Sequence, residues 1–380
     1  MLLGRLIDRV HSWIVTFDKF LNRLIPQEFN PFYYLGGITN LFWVLLVPTG
    51  VFLWFYYTPS PEDAYASVQF LSNEVPYGAA MRAIHRYAGD AMLIFAVLHL
   101  LRNYFTDRYR RFRDVPWFSG AVLLLLVMIA GMSGYLLVWD VRSLRIAELT
   151  TDALLQFNAF IPGLGTALAG VFLGGDQVNR ETLARFLGLH IAGPALIFFF
   201  LWMHYVRLHR PKIWPPAFVT LLAIGGVFVV SGLVPVETLP PANDPVAVAT
   251  TTTYPVDLFF LWGYPLMRWI SPGAVAAGTL LLLVVIFFAP YYVPQKRYIN
   301  IATVVDENCT GCRLCEIDCP FDAIAMVDRP DHPRYKLLAI VYDNKCAECG
   351  ICVGACPFAA IELPLLSDRK VEEEIKGALA

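Results

Sequence analysis

Long apolar segments alternate with polar segments over the first 293 residues of the chain. A membrane-spanning helix needs roughly 20 consecutive, mainly apolar residues, and six segments meet this requirement. They are residues 33–57, 79–105, 117–138, 187–208, 216–236 and 272–293. The pattern therefore predicts an all-α polytopic membrane protein, a transmembrane helical bundle of about six spans.

The two ends of the chain have different patterns. Residues 1–30 carry charges every few positions, with apolar residues at helical spacing. This predicts an amphipathic helix on the membrane surface rather than a cleavable signal peptide. After residue 294 the composition becomes polar, which predicts a small soluble α+β domain at 298–365 and a charged tail at 366–380.

The distribution of charge predicts the orientation in the membrane. Lys and Arg cluster in the N-terminal segment and after the second, fourth and sixth predicted spans, and such an excess marks the cytoplasmic side. Both termini are thus predicted in the cytoplasm, with the spans in a prokaryotic cytoplasmic membrane. The composition agrees, since 57% hydrophobic and 16% charged residues are too apolar for a soluble protein of this length. The formal net charge of −2 does not inform on nucleic acid, and no such partner is expected.

The second and fourth predicted spans each carry two histidines fourteen residues apart, His85 with His99 and His190 with His204. Fourteen helical residues make nearly four turns and about 21 Å of rise, so both rings of a span share one face at two depths. Because both spans run inward, first histidines should face each other near the outer surface and second histidines near the inner one. Paired imidazoles predict two bis-histidine haem sites. Hydrogen bonding within the bundle, or a proton path, is the alternative.

Glycines repeat the same spacing in the first and third predicted spans, where they would let a helix backbone approach a flat macrocycle. They are Gly36, Gly50, Gly120 and Gly134. Arg82 and Arg102 lie three residues outside the histidines of the second span, where they would meet haem propionates. Anchoring at the membrane interface is the alternative for both arginines.

Residues 30–293 resemble the cytochrome b of quinol-oxidising bc-type and b/f-type complexes. The four histidines carry the resemblance, together with "YYLGGITNLFWVLL", "GMSGYLLVWD" and "PANDPVAVATTTTYP". It implies a four-helix core for two haems b at 31–210, and two further spans at 211–297 that are similar to the start of the family's C-terminal half. It also implies quinone chemistry at two sites, one at each membrane face.

The sequence departs from that family at several positions. The family's outer quinol site carries Pro-Glu-Trp-Tyr, whose glutamate accepts a proton, whereas the matching stretch here is Pro255-Val256-Asp257-Leu258. Asp257 is therefore the candidate proton acceptor, displaced by one residue. Asp18 is the candidate at the inner quinone site, a solvated helix face being its alternative. Tyr34 stands where b/f-type proteins attach an additional haem through a cysteine, so that covalent haem is not expected.

All eight cysteines lie between 309 and 356, in "CTGCRLCEIDCP" and "CAECGICVGACP". Both runs read C-x-x-C-x-x-C-x-x-x-C-P, the pattern of two-cluster ferredoxins in which the fourth cysteine of each run ligates the other cluster. The predicted ligands are Cys309, Cys312, Cys315 and Cys356 for the first 4Fe–4S cluster, and Cys346, Cys349, Cys352 and Cys319 for the second. Zinc is the alternative, whereas disulfides do not fit a reducing cytoplasm. Residues 300–364 resemble 2×4Fe–4S ferredoxins.

These sites predict an electron-transfer chain of cluster, cluster, inner haem and outer haem. We expect an oxidoreductase subunit of a respiratory or photosynthetic complex that connects the quinone pool with the cytoplasmic clusters. Electrons could run from an outer quinol to the clusters, with a Rieske-type or c-type cytochrome partner outside. They could instead run from a cytoplasmic ferredoxin or dehydrogenase to quinone at the inner face. A homodimer fits either direction, and a non-catalytic redox-sensing or structural subunit is the remaining alternative.

Overall fold

The computed structural model describes residues 2–26, 29–106, 114–175, 178–206, 213–253, 255–292, 301–319, 321–342, 345–346 and 350–364. Helices dominate as far as residue 292. They are α1 (Leu2–Leu24), α2 (Leu35–Trp54), α3 (Ala64–Asn73), α4 (Gly78–Phe105), α5 (Asp114–Val138), α6 (Val141–Leu155), α7 (Leu164–Leu173), α8 (Arg180–Val206), α9 (Ala217–Leu233), α10 (Pro245–Thr250) and α11 (Pro272–Tyr292). Short 3-10 turns lie at Pro31–Tyr34, Gln156–Ala159 and Pro265–Arg268.

Five of the six predicted spans form helices that are long and apolar enough to cross a membrane. They are Pro31–Trp54, Gly78–Phe105, Val115–Val138, Arg180–Val206 and Pro272–Tyr291. The predicted span 216–236 forms the shorter apolar helix α9, which at about 1.5 Å per residue is at the short end of the spanning range.

The predicted boundaries differ most at α8, which begins at Arg180 instead of near residue 187. Asn179 Oδ1 accepts a hydrogen bond from the backbone N–H of Thr182, and Thr182 Oγ1 accepts one from the backbone N–H of Asn179. These reciprocal bonds satisfy amide groups that the first turn of a helix leaves without partners. The helix therefore extends by two turns beyond its apolar segment.

Two helix pairs form the core of the membrane part. Helix α2 packs along α4, helix α5 packs along α8, and α4 also contacts α5. Phe42, Met92, Leu136 and Phe186 belong to the buried cluster between them. Large apolar side chains are exposed on α8, α9 and α11, as expected where helices contact lipid.

The segments predicted to face outward are ordered and pack onto this core. Asp140 caps α6 by accepting the backbone N–H of Ser143, and it forms a β-bridge with Pro241. The following loop brings the ring of Phe260 into a slot in α5, because a Cβ atom at Gly131 would lie 2.1 Å from this ring. This loop thereby carries residues 255–264 onto the core helices.

The C-terminal part has the predicted α+β composition. Strand β1 (Thr303–Val304) pairs antiparallel with β4 (Ile361–Glu362), and β2 (Ile324–Asp328) pairs antiparallel with β3 (Leu337–Val341). Helices α12 (Leu314–Asp318) and α13 (Ile351–Ala355) contact each other. Each begins after a residue with positive φ, Arg313 at 66° and Gly350 at 72°, so the two halves of the domain repeat one local geometry.

Candidate functional site

The four histidines form two facing pairs. We call His85 with His190 the outer pair and His99 with His204 the inner pair, after the predicted orientation. The ring centroids lie 6.0 Å apart in the outer pair and 6.5 Å apart in the inner pair. The fourteen-residue spacing on α4 and α8 thus brings the rings together at two depths, as the helical repeat predicts.

These separations fit one metal atom between the rings of each pair. Two imidazoles bound on opposite sides of a metal have centroids about 6.3 Å apart, given about 2.0 Å per metal–nitrogen bond and about 1.15 Å from nitrogen to ring centre. Both observed values lie within 0.3 Å of that distance. Bis-histidine haem iron has this arrangement.

Each of the four predicted glycines contacts one of the histidine rings. The contacts are Gly36 with His99, Gly50 with His85, Gly120 with His204 and Gly134 with His190. A Cβ atom would lie 2.9, 3.0, 3.4 and 2.9 Å, respectively, from the Cε1 atom of the ring. The glycines therefore leave space for the imidazoles themselves, which is a more direct reason for their positions than the predicted approach to a macrocycle.

The hydrogen bonds of His190 define its tautomer. Its Nδ1 atom lies 2.8 Å from the carbonyl oxygen of Ala130, and a carbonyl can only accept. Nδ1 therefore carries the proton, and the lone pair of Nε2 is available to a metal. Such a hydrogen bond from the second ring nitrogen is the usual support of a histidine ligand.

Hydroxyl groups have the same effect on two other rings. Thr49 Oγ1 lies 3.0 Å from His85 Nδ1 and donates its own proton to the carbonyl of Leu45 at 2.8 Å. Ser119 Oγ lies 3.0 Å from His204 Nδ1 and donates to the carbonyl of Val115 at 2.8 Å. Each hydroxyl oxygen thus has a lone pair that can accept the Nδ1 proton of the ring, and in that arrangement Nε2 again keeps its lone pair.

A third hydroxyl, Ser133 Oγ, lies 3.3 Å from His190 Nδ1. Sequence reasoning missed these three hydroxyl groups, although the sequence contains a signal for them. Thr49, Ser119 and Ser133 each directly precede one of the ring-contacting glycines. Leu35 occupies the fourth such position, before Gly36. The corresponding ring, His99, instead has the Asn103 amide nitrogen at 3.3 Å from Nδ1 and 3.2 Å from Nε2.

Asp257 lies in a buried polar cluster that includes Arg86, the residue directly after the outer ligand candidate His85. Its Oδ2 atom accepts hydrogen bonds from the Tyr135 hydroxyl at 2.7 Å and from Arg86 Nη2 at 3.2 Å. Its Oδ1 atom accepts the backbone N–H of Phe259 at 2.7 Å. Arg86 also forms an ion pair with Asp90 on the same helix. Sequence reasoning found Asp257 and missed its three side-chain neighbours, which come from two other elements.

The arginines predicted to meet propionates have protein partners. Arg82 Nη1 donates to Ser72 Oγ at 3.2 Å. Arg102 donates to both carboxylate oxygens of Asp18 at 3.0 and 2.6 Å, and its guanidinium lies 5.2 Å from the ring centroid of Tyr33. The structure thus joins two residues that the sequence suggested for separate roles, an inner proton acceptor and a propionate partner. Both roles stay predictions.

A tyrosine in the part of the chain that is predicted to face outward also contacts the core. The hydroxyl of Tyr264 lies 2.7 Å from Thr150 Oγ1 and 3.5 Å from the sulfur of Met132. Burial raises the pKa of Tyr264 to about 12, and the bond with Thr150 lowers it in part. This hydroxyl therefore remains protonated at neutral pH and keeps the loop attached to α5 and α6.

The described cysteines cluster around α12 and α13. Burial and, to a smaller extent, the neighbouring Cys356, Cys309 and Cys312 thiols raise the pKa of the Cys315 thiol to about 11, although a hydrogen bond with the Glu316 backbone lowers it in part. These four are the predicted ligands of the first cluster. Of the second set, Cys319, Cys346 and Cys352 are buried, and Cys349 lies outside the described residues.

Backbone amide groups donate hydrogen bonds to two of the thiols. The backbone N–H of Ala323 donates to Cys319 Sγ and that of Ala360 to Cys356 Sγ, both at 3.3 Å. Hydrogen bonds to sulfur are a feature of iron–sulfur clusters, so these surroundings fit the predicted cluster ligands.

The fold and its paired histidines define a class of protein, the helical-bundle electron-transfer proteins of membranes. Residues 20–212, half of the 380-residue chain, match the family model "Cytochrome b/b6/petB", and residues 308–360 match the "4Fe-4S dicluster domain". The chain belongs to the cytochrome b/b6 family and carries a ferredoxin domain after it. Both resemblances noted in the sequence, and the predicted fold class, are confirmed.

Relatives support this assignment. Cytochrome b6 of Rippkaea orientalis is 34% identical over 200 residues, which cover 52% of this chain and 88% of the relative. Cytochrome b6 of Synechococcus elongatus is 33% identical over 218 residues, 55% of this chain and all of the relative. A chain of a hyperthermophilic respiratory Complex III is similar in fold, with a TM-score of 0.56 and 19% identity over 72% of this chain and 80% of that one. The protein is thus a multi-pass cytochrome b-type electron-transfer subunit, and its two parts imply haem b and 4Fe–4S clusters.

Proposed function

We propose that this protein passes electrons between the membrane quinone pool and two cytoplasmic 4Fe–4S clusters through two haems b. The observation that carries the proposal is the pair of histidine contacts at 6.0 and 6.5 Å, each ring seated on a glycine. Two equivalent sites at two depths form a path across the membrane, which a single structural histidine pair would not.

The residues of the chain have separate roles in this proposal. His85 and His190 hold the outer iron, and His99 and His204 hold the inner iron. Haem b and 4Fe–4S clusters supply reversible one-electron transfer when bound. The two cysteine sets hold the clusters in the cytoplasm, and the spans lie in a prokaryotic cytoplasmic membrane.

Two directions of electron flow remain distinct proposals. In the first, quinol is oxidised at the outer face, Asp257 accepts its proton, and a Rieske-type or c-type cytochrome partner takes one electron. In the second, a cytoplasmic ferredoxin or dehydrogenase reduces the clusters, and quinone is reduced at the inner face. The second direction is supported by the outer geometry, because Asp257 is already held by three donors and Phe260 fills the slot beside it.

Haem content tests the first part of the proposal. We expect His190→Ala and His204→Ala to lose about half of the bound protohaem each, because each removes one ligand of one iron. Reduced-minus-oxidised spectra and pyridine haemochrome assays of the purified protein measure this. His332→Ala, in the ferredoxin domain, is the matched control and should keep all of it. Full haem content in His190→Ala or in His204→Ala would contradict the proposed ligands.

The direction is tested by Asp257→Asn. If this carboxylate accepts the quinol proton, its loss should slow quinol oxidation by about 10²–10⁴-fold, the usual contribution of a general base. If quinone is reduced only at the inner face, the variant should match the unchanged protein in reduction driven by ferredoxin. Redox titration of haems and clusters in one preparation gives the driving force, and clusters below the inner haem favour flow toward quinone.

A further inference from the structure

A compact charged cluster lies between α4, α5 and the 255–264 loop. Arg86 forms ion pairs with two carboxylates, Asp90 on its own helix and Asp257 on the loop at 3.2 Å. The exposed fractions of these side chains are 26% for Arg86, 13% for Asp90 and 3% for Asp257. The proposed function uses Asp257 and gives no role to Asp90.

The two carboxyl groups differ in their hydrogen bonding. Asp257 receives donors on both oxygens, from Tyr135, Arg86 and the backbone of Phe259. Asp90 faces Arg86 through Oδ2, whereas its Oδ1 is buried and has no hydrogen-bond partner within the described part of the chain. A buried carboxylate oxygen without a donor is unfavourable. A proton on Asp90 would relieve this, since it removes the charge.

The charges of the cluster do not balance if both acids are ionised. Two carboxylates would then share one guanidinium in a buried position, where uncompensated charge is costly. The two carboxyl groups lie against the same guanidinium, Asp90 at Nη1 and Asp257 at Nη2 of Arg86. Two acids in one site retain one proton between them, because two negative charges at this distance repel each other.

The other charged groups near the cluster leave this imbalance in place. Helix α4 contributes Tyr87 beside Arg86, and Glu237 lies within electrostatic range of Tyr87. Tyr135 of α5 lies with its ring 4.9 Å from the Arg86 guanidinium and 5.5 Å from that of Arg142. Arg142 is itself paired with the Asp140 carboxylate at 3.3 Å, so its charge is already compensated.

We propose that Asp90 and Asp257 form a carboxyl pair that holds one exchangeable proton beside the outer histidine pair, with Arg86 as its fixed positive charge. Asp90 is a positioning residue in this arrangement, because it acts through Asp257 and Arg86. Asp257 keeps its hydrogen bonds while the shared proton binds to the carboxyl pair and is released from it. The proposal rests on the outer haem site but is independent of the direction of electron flow.

The carboxyl pair predicts a link between protons and the charge of the outer site. Arg86 directly follows the outer ligand His85 in sequence. Asp90 lies five residues after His85, which is about 7.5 Å along the helix axis. Addition of an electron at the outer site favours binding of the proton by the carboxyl pair. Removal of that electron favours release of the proton. The outer reduction potential should therefore fall with rising pH, by at most about 59 mV per pH unit for one proton per electron.

Redox titration of the purified holoprotein at a series of pH values tests this. The unchanged protein should show a pH-dependent outer potential, and both Asp90→Asn and Asp257→Asn should lose most of that slope. Asp90→Glu should restore it, because it keeps the carboxyl group. The reduction potential of the inner site serves as the internal control, and its pH dependence should be the same in all variants. Infrared difference spectra should show a protonated carboxyl band that disappears in both asparagine variants.

Two results would overturn the carboxyl pair. One is an outer potential that does not change with pH in the unchanged protein. The other is an Asp90→Asn variant that keeps the full slope and the infrared band. Failure of the proposed function is distinguishable, because the purified protein would then lack the haem b spectrum on which the titration depends.

Discussion

The outer and inner halves of the four-helix core share one construction and differ in their charged surroundings. Each half has two facing imidazoles, and each ring lies on a glycine of the neighbouring helix. The outer half adds a cluster of Arg86, Asp90 and Asp257, and Asp257 lies on a loop 171 residues after Arg86 in sequence. Within the described residues, the inner half adds the ion pair of Arg102 with Asp18, whose carboxylate comes from the N-terminal helix.

This difference indicates where the two sites acquire separate chemistry. The fourteen-residue repeat on α2, α4, α5 and α8 produces two similar histidine sites. The repeat alone cannot give one site a proton-binding group that the other site lacks. Asp257 and Asp18 come from elements outside the repeat, the 255–264 loop and α1, whereas their arginine partners Arg86 and Arg102 lie on α4. Variants of the glycines therefore test what the halves share, and variants of the acids test what separates them.

The largest expected effect is the loss of a whole cofactor in Gly134→Val. The first side-chain carbon would lie 2.9 Å from His190 Cε1, and two packed helices cannot separate without disturbing the core. We expect about half of the haem to be lost, with the inner half unaffected, as measured by haemochrome assay and optical spectra.

Gly170→Val on α7 is the matched control for that variant. No atom lies within 4 Å of a Cβ at this position, so the change carries only the helix-propensity effect of less than about 1 kcal/mol. Complete haem content in Gly134→Val would show that the outer ring does not need its glycine contact.

The shared construction was largely accessible from the sequence. Helical periodicity is a local property, so His85 and His99 had to share one face once the span was recognised. The same argument located the four glycines, and the structure adds that each of them contacts a histidine ring. The fold class followed from apolar length for the same local reason.

The charged surroundings were not accessible in this way. Asp257 meets Tyr135 and Arg86 across separations of 122 and 171 residues, and such contacts depend on the path of a loop. Asp18 meets Arg102 because α1 turns back toward α4. Sequence patterns named several of these residues singly, but no periodicity specifies which of them converge.

The next effect in size is expected from Asp18→Asn. The Asp18 and Arg102 side chains are 13% and 11% exposed, so the variant leaves a largely buried guanidinium without its carboxylate. Removing one partner of a buried pair typically costs about 3–5 kcal/mol. Thermal or denaturant unfolding of the protein in lipid nanodiscs should show this loss.

Glu148→Gln provides the comparison for the inner pair. Glu148 lies 2.7 Å from Arg145, but both side chains are well exposed, and exposed pairs contribute about 0–1 kcal/mol. The double variant Asp18→Leu with Arg102→Met should recover much of the lost stability, because it removes both charges. A loss in Asp18→Asn no larger than that in Glu148→Gln would contradict a buried structural pair.

The smallest effect is expected from Gly120→Ala, because Gly120 has the longest of the four ring contacts. A Cβ at Gly120 would lie 3.4 Å from His204 Cε1, whereas at Gly134 it would lie 2.9 Å from His190 Cε1. Gly120→Ala should therefore keep both haems, with stability within about 1 kcal/mol of the unchanged protein, because alanine also favours the helix by about that amount. Gly134→Ala should lose outer haem, as haemochrome assays would show. Equal haem loss in the two alanine variants would mean that the His204 ring is as tightly enclosed as the His190 ring.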